Sequence, residues 1–186
     1  VGLLDLAEKI SAPEAETALT EVAEVCLEQA LALAMRQLIR TTPQATEDVE
    51  SGHFLVVGKG KLGSRELSYG SDLDVVFLFD LEDADEHRII EAQASFLRLA
   101  QKLGWALQTP TAEGVCYEVD ARLRPSGHQG LLVTSLGSFE RYHAEDAEVW
   151  ERQALLRSRP VAGSERLAEA FRALRGTILR SPLPEE

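Results

Sequence analysis

A glycine-rich, locally basic loop that leads into a pair of aspartates constrains the fold of this chain more than any other feature. The loop covers residues 58–71 and meets the run Asp72-Leu73-Asp74, which continues into the apolar segment 75–79. Residues 53–57, just before the loop, are apolar and rich in β-branched side chains, so we predict two strands joined by the loop. Such a loop can hold phosphate groups beside a metal bound to the aspartates, and this pairing indicates nucleotidyl transfer.

The two aspartates are predicted to share one face of the second strand. Residues two apart in a strand project to the same side, so Asp72 and Asp74 point together while Leu73 and Val75 point into the core. Two carboxylates about 4 Å apart repel by about 4 kcal/mol at an effective dielectric constant near 20. A bound cation reverses the sign of that interaction, and the pair therefore predicts a metal site.

A later segment supplies a matching polar face. Residues 117–123 alternate in the manner of a third strand, which places Asp120, Arg122 and Arg124 on one side. If this strand lies beside the one that starts at Asp72, Asp120 completes a cluster of three carboxylates, which suits Mg²⁺. Two such ions can clamp the attacking and leaving oxygens of a phosphoryl displacement, and the two arginines can neutralise a polyphosphate.

The glycine-rich loop is predicted to bind phosphate through its backbone. Gly63 allows close approach of a phosphate, and Ser64 offers a hydroxyl that can cap a short helical turn at 65–67. The loop lacks the G-x-x-x-x-G-K-[ST] order of a P-loop, and its glycine spacing alone is a weak dinucleotide signal. The carboxylates that follow are what favour a nucleotide-transfer site.

Composition restricts the partners. The chain has 186 residues, 45% of them hydrophobic, which suffices for one domain with a proper core. A formal net charge of −12 argues against binding along a nucleic-acid backbone and favours small nucleotides or proteins. No apolar run approaches the roughly 20 residues that cross a bilayer, and no secretion signal is visible, so a cytoplasmic location is expected. Four side chains are predicted to be buried, namely Cys26, Cys116, Trp105 and Trp150.

Apolar residues recur at helical spacing along four segments, which we predict to be helices. These segments are 14–40, 89–104, 135–155 and 165–179. Residues 41–52 are polar and contain Pro43, so a linker is predicted there, and the acidic stretch 80–86 is predicted to be a turn. Helices mixed with a few irregularly spaced strands predict an α/β or α+β fold with a small mixed sheet.

Several longer strings resemble one known family. They are Gly60–Asp74, Tyr117–Gly127, Leu131–Ser135 and Trp150–Leu155. Together they look like the bifunctional glutamine synthetase adenylyltransferase/adenylyl-removing enzymes, which belong to the nucleotidyltransferase superfamily that shares the DNA polymerase beta catalytic fold. The resemblance spans about 56–163, and one departure from it is Ser64, where a second glycine is frequent in the family.

The resemblance implies a fold, an organisation and a reaction. The fold is that of a nucleotidyltransferase, with an N-terminal helical segment at 1–44, the catalytic domain at 45–165, and a C-terminal helix and tail at 166–186. The reaction is Mg²⁺-dependent transfer of AMP from ATP to a tyrosine of glutamine synthetase, with release of pyrophosphate.

The resemblance also implies roles for individual residues. Asp72 and Asp74 bind Mg²⁺ and with it the ATP triphosphate, while Asp120 bridges the metal and helps to deprotonate the tyrosine hydroxyl. Phosphate contacts are implied for Gly63, Ser64, Arg65 and Ser71. Glutamine synthetase is the implied protein partner, with glutamine and a PII-type signalling protein as effectors and with neither nucleic acid nor membrane involved.

The resemblance leaves the direction of the reaction open. The string Tyr69-Gly70-Ser71 before the aspartates favours the C-terminal, AMP-attaching half, whereas the other half removes AMP by phosphorolysis. A third interpretation is a nucleotide-binding regulatory module whose catalysis depends on further regions. It is motivated by the start at Val1 without a methionine, which suggests part of a longer polypeptide.

Overall fold

A mixed five-stranded sheet with helices on both faces forms the framework of residues 1–181. These are the residues described by the computed structural model, without the side chains of residues 43, 44 and 128, and residues 182–186 of the predicted C-terminal helix and tail lie outside them. The strands are β1 (Gly52–Gly58), β2 (Leu73–Leu81), β3 (Val119–Asp120), β4 (Val133–Ser135) and β5 (Arg159–Gly163). The helices are α1 (Gly2–Leu6), α2 (Ala12–Thr41), α3 (Pro43–Ser51), α4 (Gly60–Ser64), α5 (Glu86–Gln108), α6 (Leu136–Glu145), α7 (Val149–Ala154) and α8 (Glu165–Arg180), with 3₁₀ turns at Gly127–Gln129 and Leu155–Arg157.

Strand β2 is the centre of the sheet. It pairs antiparallel with β1 along its whole length, and β1 pairs antiparallel with β5 on its other side. The remaining edge of β2 is shared by two parallel neighbours, β3 at its start and β4 further along. Helix α5 makes the crossover that parallel pairing requires. The predicted α/β class with a small mixed sheet is confirmed.

The sheet buries a separate apolar cluster on each face, because alternate residues of its central strands point to opposite sides. One cluster joins Phe54, Phe77 and Phe79 to the helices α2, α3 and α5. The other joins Leu55 and Val57 to α6 and α8 through Phe139, Phe171 and other side chains. With both faces covered, the edge where β2 begins, near Asp74, is left for a site.

The linker predicted at 41–52 is wrong, because most of it is helix α3. Proline at the first helical position has no N–H to leave unsatisfied, so Pro43 begins this helix rather than breaking one. Ala45 and Val49 are buried in the cluster shared with α2 and α5. Tertiary burial thus stabilises a segment whose polar composition suggested a connector.

Two predicted helix boundaries also differ from the structure. Helix α5 does not end at Gly104 but continues to Gln108, because Leu107 extends its buried stripe by a turn. The helix predicted from Ser135 to Leu155 is two helices, because Glu148 caps the start of a new helix, α7. The backbone N–H of Glu148 donates to the Glu151 carboxylate at 3.0 Å, as in a capping box. The predicted helices at 14–40 and 165–179 are confirmed as α2 and α8.

The predictions of buried tryptophan and cysteine side chains are largely wrong. Trp105 is 61% and Trp150 is 58% exposed, because each lies on the side of its helix away from the core. Cys116 is exposed and Cys26 is partly buried. None of the helices within the described part of the chain combines the length and the apolar character needed to span a membrane.

Lys59 is an unusual core residue, since it stands at the start of the glycine-rich loop but is only 3% exposed. Burial lowers the pKa of its ammonium to about 8, although nearby Glu151 raises it, and Arg175 lowers it further. Replacing Lys59 with methionine is therefore expected to stabilise the fold by about 2 kcal/mol at pH 7.

The gain from Lys59→Met should depend on pH with a definite sign. The penalty of burying the ammonium is fully present below pH 8 and disappears as the pH rises from about 8 to the ordinary pKa of 10.5. Urea denaturation at pH 7 and pH 10 measures the difference, with Lys9→Met at an exposed position as the control. An equal gain at both pH values would contradict the assignment of the gain to the buried charge.

Candidate active site

The first part of the glycine-rich loop is a short helix, α4, which is anchored to the start of β2. Helix α4 follows β1 directly, and the backbone N–H of Lys59 donates to the carbonyl of Asp74 at 2.8 Å. Gly60 has φ +52°, and a Cβ there would lie 2.8 Å from Asp74 Oδ2. Glycine at this position therefore lets the loop pass directly beside the Asp74 carboxylate.

The pairing of β2 with β3 brings the predicted carboxylates together. Leu73 pairs with Val119 and Asp74 pairs with Asp120 in parallel register. Asp74 has a raised carboxyl pKa, first because of burial and then because of the nearby carboxylates of Asp120 and Asp72. Arg122 and Lys61 counter part of this repulsion. The three aspartates thus form one concentrated negative site.

Strand β3 is much shorter than the predicted strand at 117–123, because the chain turns immediately after Asp120. The Asp120 carboxylate accepts the backbone N–H of Arg122 at 2.8 Å, and this local bond ends the strand. The same carboxylate accepts Arg122 Nε at 2.6 Å. Arg124 instead donates to the carbonyls of Ala121 and Gly130, at 2.6 and 3.1 Å. The prediction that Arg122 and Arg124 continue one face of a strand after Asp120 is therefore wrong.

A cleft of about 530 Å³ opens between the loop and the carboxylates. Its lining residues are Gly60, Lys61, Ser68, Tyr69, Gly70, Ser71, Asp72, Asp74, Asp120, Arg122 and Arg157. An adjoining cleft of about 400 Å³ shares Asp72, Asp120 and Arg122, and Arg124 lines it. The carboxylates thus lie between two clefts, which can receive two different reactants.

Three of the predicted phosphate ligands do not line the larger cleft as the structure describes it. Gly63 and Ser64 lie in the last turn of α4, and the predicted helical turn at 65–67 is wrong because the helix ends at Ser64. Arg65 has φ +63° and points toward α2, where its guanidinium lies 3.6 Å from Glu21 and 3.8 Å from Glu24.

Sequence reasoning missed Arg157, which reaches the loop from the 3₁₀ turn before β5. Its guanidinium donates to Ser64 Oγ from Nη2 at 2.8 Å and from Nε at 3.2 Å, and it also pairs with Glu66. Ser64 Oγ in turn donates to the carbonyl of Gly60 at 2.9 Å. Arg157 and Ser64 are 93 residues apart, so no spacing pattern could have linked them.

The three aspartates supply the donor atoms of a magnesium site but not its complete arrangement. Their donor set consists of carboxylate oxygens, which is what Mg²⁺ prefers, and their mutual repulsion is of the kind a cation relieves. Within residues 1–181, however, no group of three or more histidine, cysteine, aspartate or glutamate side chains is already arranged around a metal position. The Asp120 carboxylate is instead engaged by Arg122.

Comparison with known proteins places this arrangement in a family. Residues 1–174 match the family described as glutamate-ammonia ligase adenylyltransferase. The chain belongs to this family. The match covers nearly all of the described chain, including the helices around the cleft, so the resemblance of the loop and strand strings extends to the whole fold.

Individual relatives support the same membership. Over 170 residues and 88% of this chain, it is 44% identical to the bifunctional glutamine synthetase adenylyltransferase/adenylyl-removing enzyme of Pasteurella multocida. The proteins of that name from Thioalkalivibrio sulfidiphilus and Alteromonas mediterranea are 46% and 41% identical over 87% and 96% of this chain. The chain spans only 17–18% of the length of these relatives.

Proposed function

We propose that this chain is an adenylyltransferase domain that moves AMP from ATP to a tyrosine of glutamine synthetase and releases pyrophosphate. The observation that carries the proposal is the parallel pairing of Asp74 with Asp120 beside Asp72 and the glycine-rich loop. Family membership supports the choice of AMP as the transferred group and of glutamine synthetase as the acceptor. A cytoplasmic location, and regulation by glutamine and a PII-type protein, belong to the same proposal.

In this proposal each aspartate has a role that its position supports. Asp72 and Asp74 would hold Mg²⁺, with Asp120 as the third ligand, and the ion supplies positive charge that neutralises the triphosphate. A tyrosine hydroxyl has a pKa near 10, so it needs a proton acceptor at neutral pH. The proposal assigns this role to Asp120, which lines both clefts together with Asp72.

The proposed chemical step forms one bond, breaks one bond and transfers one proton. The tyrosine oxygen forms a bond to the α-phosphorus, its proton passes to the Asp120 carboxylate, and pyrophosphate leaves with the electrons of the broken P–O bond. In the described structure the same carboxylate also accepts two hydrogen bonds from Arg122, which hold it beside the clefts.

The test is transfer of label from ATP to glutamine synthetase. The chain is incubated with Mg²⁺, ATP labelled at the α-phosphate, and unmodified glutamine synthetase, and the protein is then separated and counted. We expect one labelled tyrosine per acceptor subunit at most, and label in no other protein added as acceptor. A folded sample that transfers no label would overturn the proposal.

Two further experiments identify the alternatives, because the name of the relatives covers both attachment and removal of AMP. Phosphate-dependent release of ADP from adenylylated glutamine synthetase, without transfer from ATP, would identify the removing activity. Calorimetric binding of ATP without either reaction, followed by turnover when the rest of a full-length relative is added, would identify a regulatory module.

A further inference from the structure

Arg157 is held against the glycine-rich loop by its own backbone and by the strand that follows it. The strand that follows it, β5, pairs with β1 so that Arg159 lies opposite Gly58. The loop and the 3₁₀ turn are so close that a Cβ on Gly63 would lie 2.1 Å from the carbonyl oxygen of Arg157. The position of this arginine is therefore set by the fold and not only by its side-chain contacts.

One edge of the Arg157 guanidinium is hydrogen-bonded to the protein, and this orients the group. The opposite edge is available to a ligand. Nε and Nη2 are used by Ser64 and Glu66, whereas Nη1 donates to no group among the described residues. The side chain is 51% exposed and lines the same cleft as the three aspartates. An arginine fixed in this way presents a planar donor group whose orientation costs little further entropy on binding an anion.

Few cationic side chains line the cleft and could bind a polyphosphate. Three cationic side chains line it, namely Lys61, Arg122 and Arg157. Arg122 is engaged with Asp120 and Arg157 with Glu66, whereas Lys61 Nζ has a 3.2 Å bond to the neutral hydroxyl of Ser68. Lys61 and Arg157 are thus the cations that belong to the loop side of the carboxylates.

We propose that Arg157, together with Lys61, binds the terminal phosphates of the nucleoside triphosphate, the part that leaves as pyrophosphate. This inference rests on the proposed function and adds to it. Ser64 then acts as a positioning residue, because its hydroxyl donates to Gly60 and accepts from Arg157 instead of contacting phosphate itself. Two positive charges at this position neutralise the charge that develops on pyrophosphate as the bond to the α-phosphorus breaks.

The first test compares nucleotides that differ only in these phosphates. ATP and AMP are titrated in turn into the wild-type chain and into Arg157→Gln by calorimetry with Mg²⁺ present. We expect Arg157→Gln to weaken ATP binding at least about tenfold and to leave AMP binding within about twofold. Lys61→Gln should behave in the same way. The matched control is Arg172→Gln, an exposed arginine of α8 with one carboxylate partner, which should change neither affinity.

The outcomes separate the inference from the function on which it rests. If the wild-type chain binds neither nucleotide, the proposed function is overturned. If it binds both and Arg157→Gln weakens neither, or weakens both equally, the terminal-phosphate site is overturned while the proposed function stands. Thermal melting checks that the variants fold, which we expect because the Arg157–Glu66 pair is about half exposed on each side.

A double-mutant cycle tests the role of Ser64. If Ser64 acts by holding Arg157, Ser64→Ala weakens ATP binding in the wild-type background but adds almost nothing to Arg157→Gln. Losses that add fully would show that Ser64 contacts the nucleotide independently and would overturn the positioning role. Arg157→Lys should recover part of the ATP affinity that glutamine loses, because the charge remains although the paired donors do not.

Discussion

Replacing Asp74 with asparagine is expected to slow AMP transfer at least about 10³-fold and, in the absence of metal, to stabilise the fold. The two effects have one cause. Burial and the neighbouring carboxylates of Asp120 and Asp72 raise the pKa of Asp74, which means that its negative charge is unfavourable in the folded protein. Asparagine removes that charge, and under the proposed function it also removes a ligand of the metal that holds the triphosphate.

The two effects of Asp74→Asn are measured separately. Label transfer to glutamine synthetase gives the rate, and scanning calorimetry with a chelator at pH 7 gives Tm. We expect Tm to rise by about 2 °C or more, since 1 kcal/mol corresponds to about 2–4 °C in a domain of this size. Asp83→Asn is the control, because Asp83 is exposed and its φ of +51° suits asparagine. A variant that transfers AMP at the wild-type rate, or that melts earlier, would contradict this account.

Replacing Gly63 with alanine is expected to destabilise the fold by about 3 kcal/mol or more. The added Cβ would lie 2.1 Å from the Arg157 oxygen and 2.8 Å from the Gly58 oxygen. Both are backbone atoms, so neither can move aside by a change of rotamer. The turn that carries Arg157 must shift away from the loop, and ATP binding should weaken along with stability.

Urea denaturation measures the effect of Gly63→Ala, with Gly137→Ala as the matched change. Gly137 lies in α6, and no neighbouring atom of the described residues comes within 4 Å of the position that a Cβ would take there. Alanine at this position should therefore stabilise the fold by about 0.5–1 kcal/mol. The contrast between the two isolates the steric contact from the general preference of helices for alanine. Equal behaviour of the two variants would mean that the loop and the turn are not packed as described.

The carboxylate cluster could be predicted from the sequence because it depends on local rules. Alternation along a strand determines that Leu73 and Val75 are buried, and both are. The pairing of Asp74 with Asp120 needed one further assumption, that two predicted strands are neighbours, and the register bears this assumption out. Helices α2 and α8 were predictable for the same reason, since their apolar stripes repeat at helical spacing.

Predictions failed where a local signal had more than one structural meaning. Proline can end a helix or begin one, and the burial of Ala45 and Val49 makes Pro43 the start of α3. Alternating charges after Asp120 suggested a strand, but the Asp120 carboxylate accepts the N–H of Arg122 and turns the chain. In each case the choice depends on a hydrogen bond or a neighbour that spacing does not reveal.

By itself, the sequence determined which chemical groups this protein brings to its cleft, namely the glycine-rich loop and the three aspartates, because their order and spacing act over a few residues. The tertiary structure decided how those groups are partnered. It places Arg157 on Ser64 across 93 residues of chain, and it directs Arg65 toward α2. Such contacts depend on strand pairing and helix packing, which bring together residues that no local pattern connects.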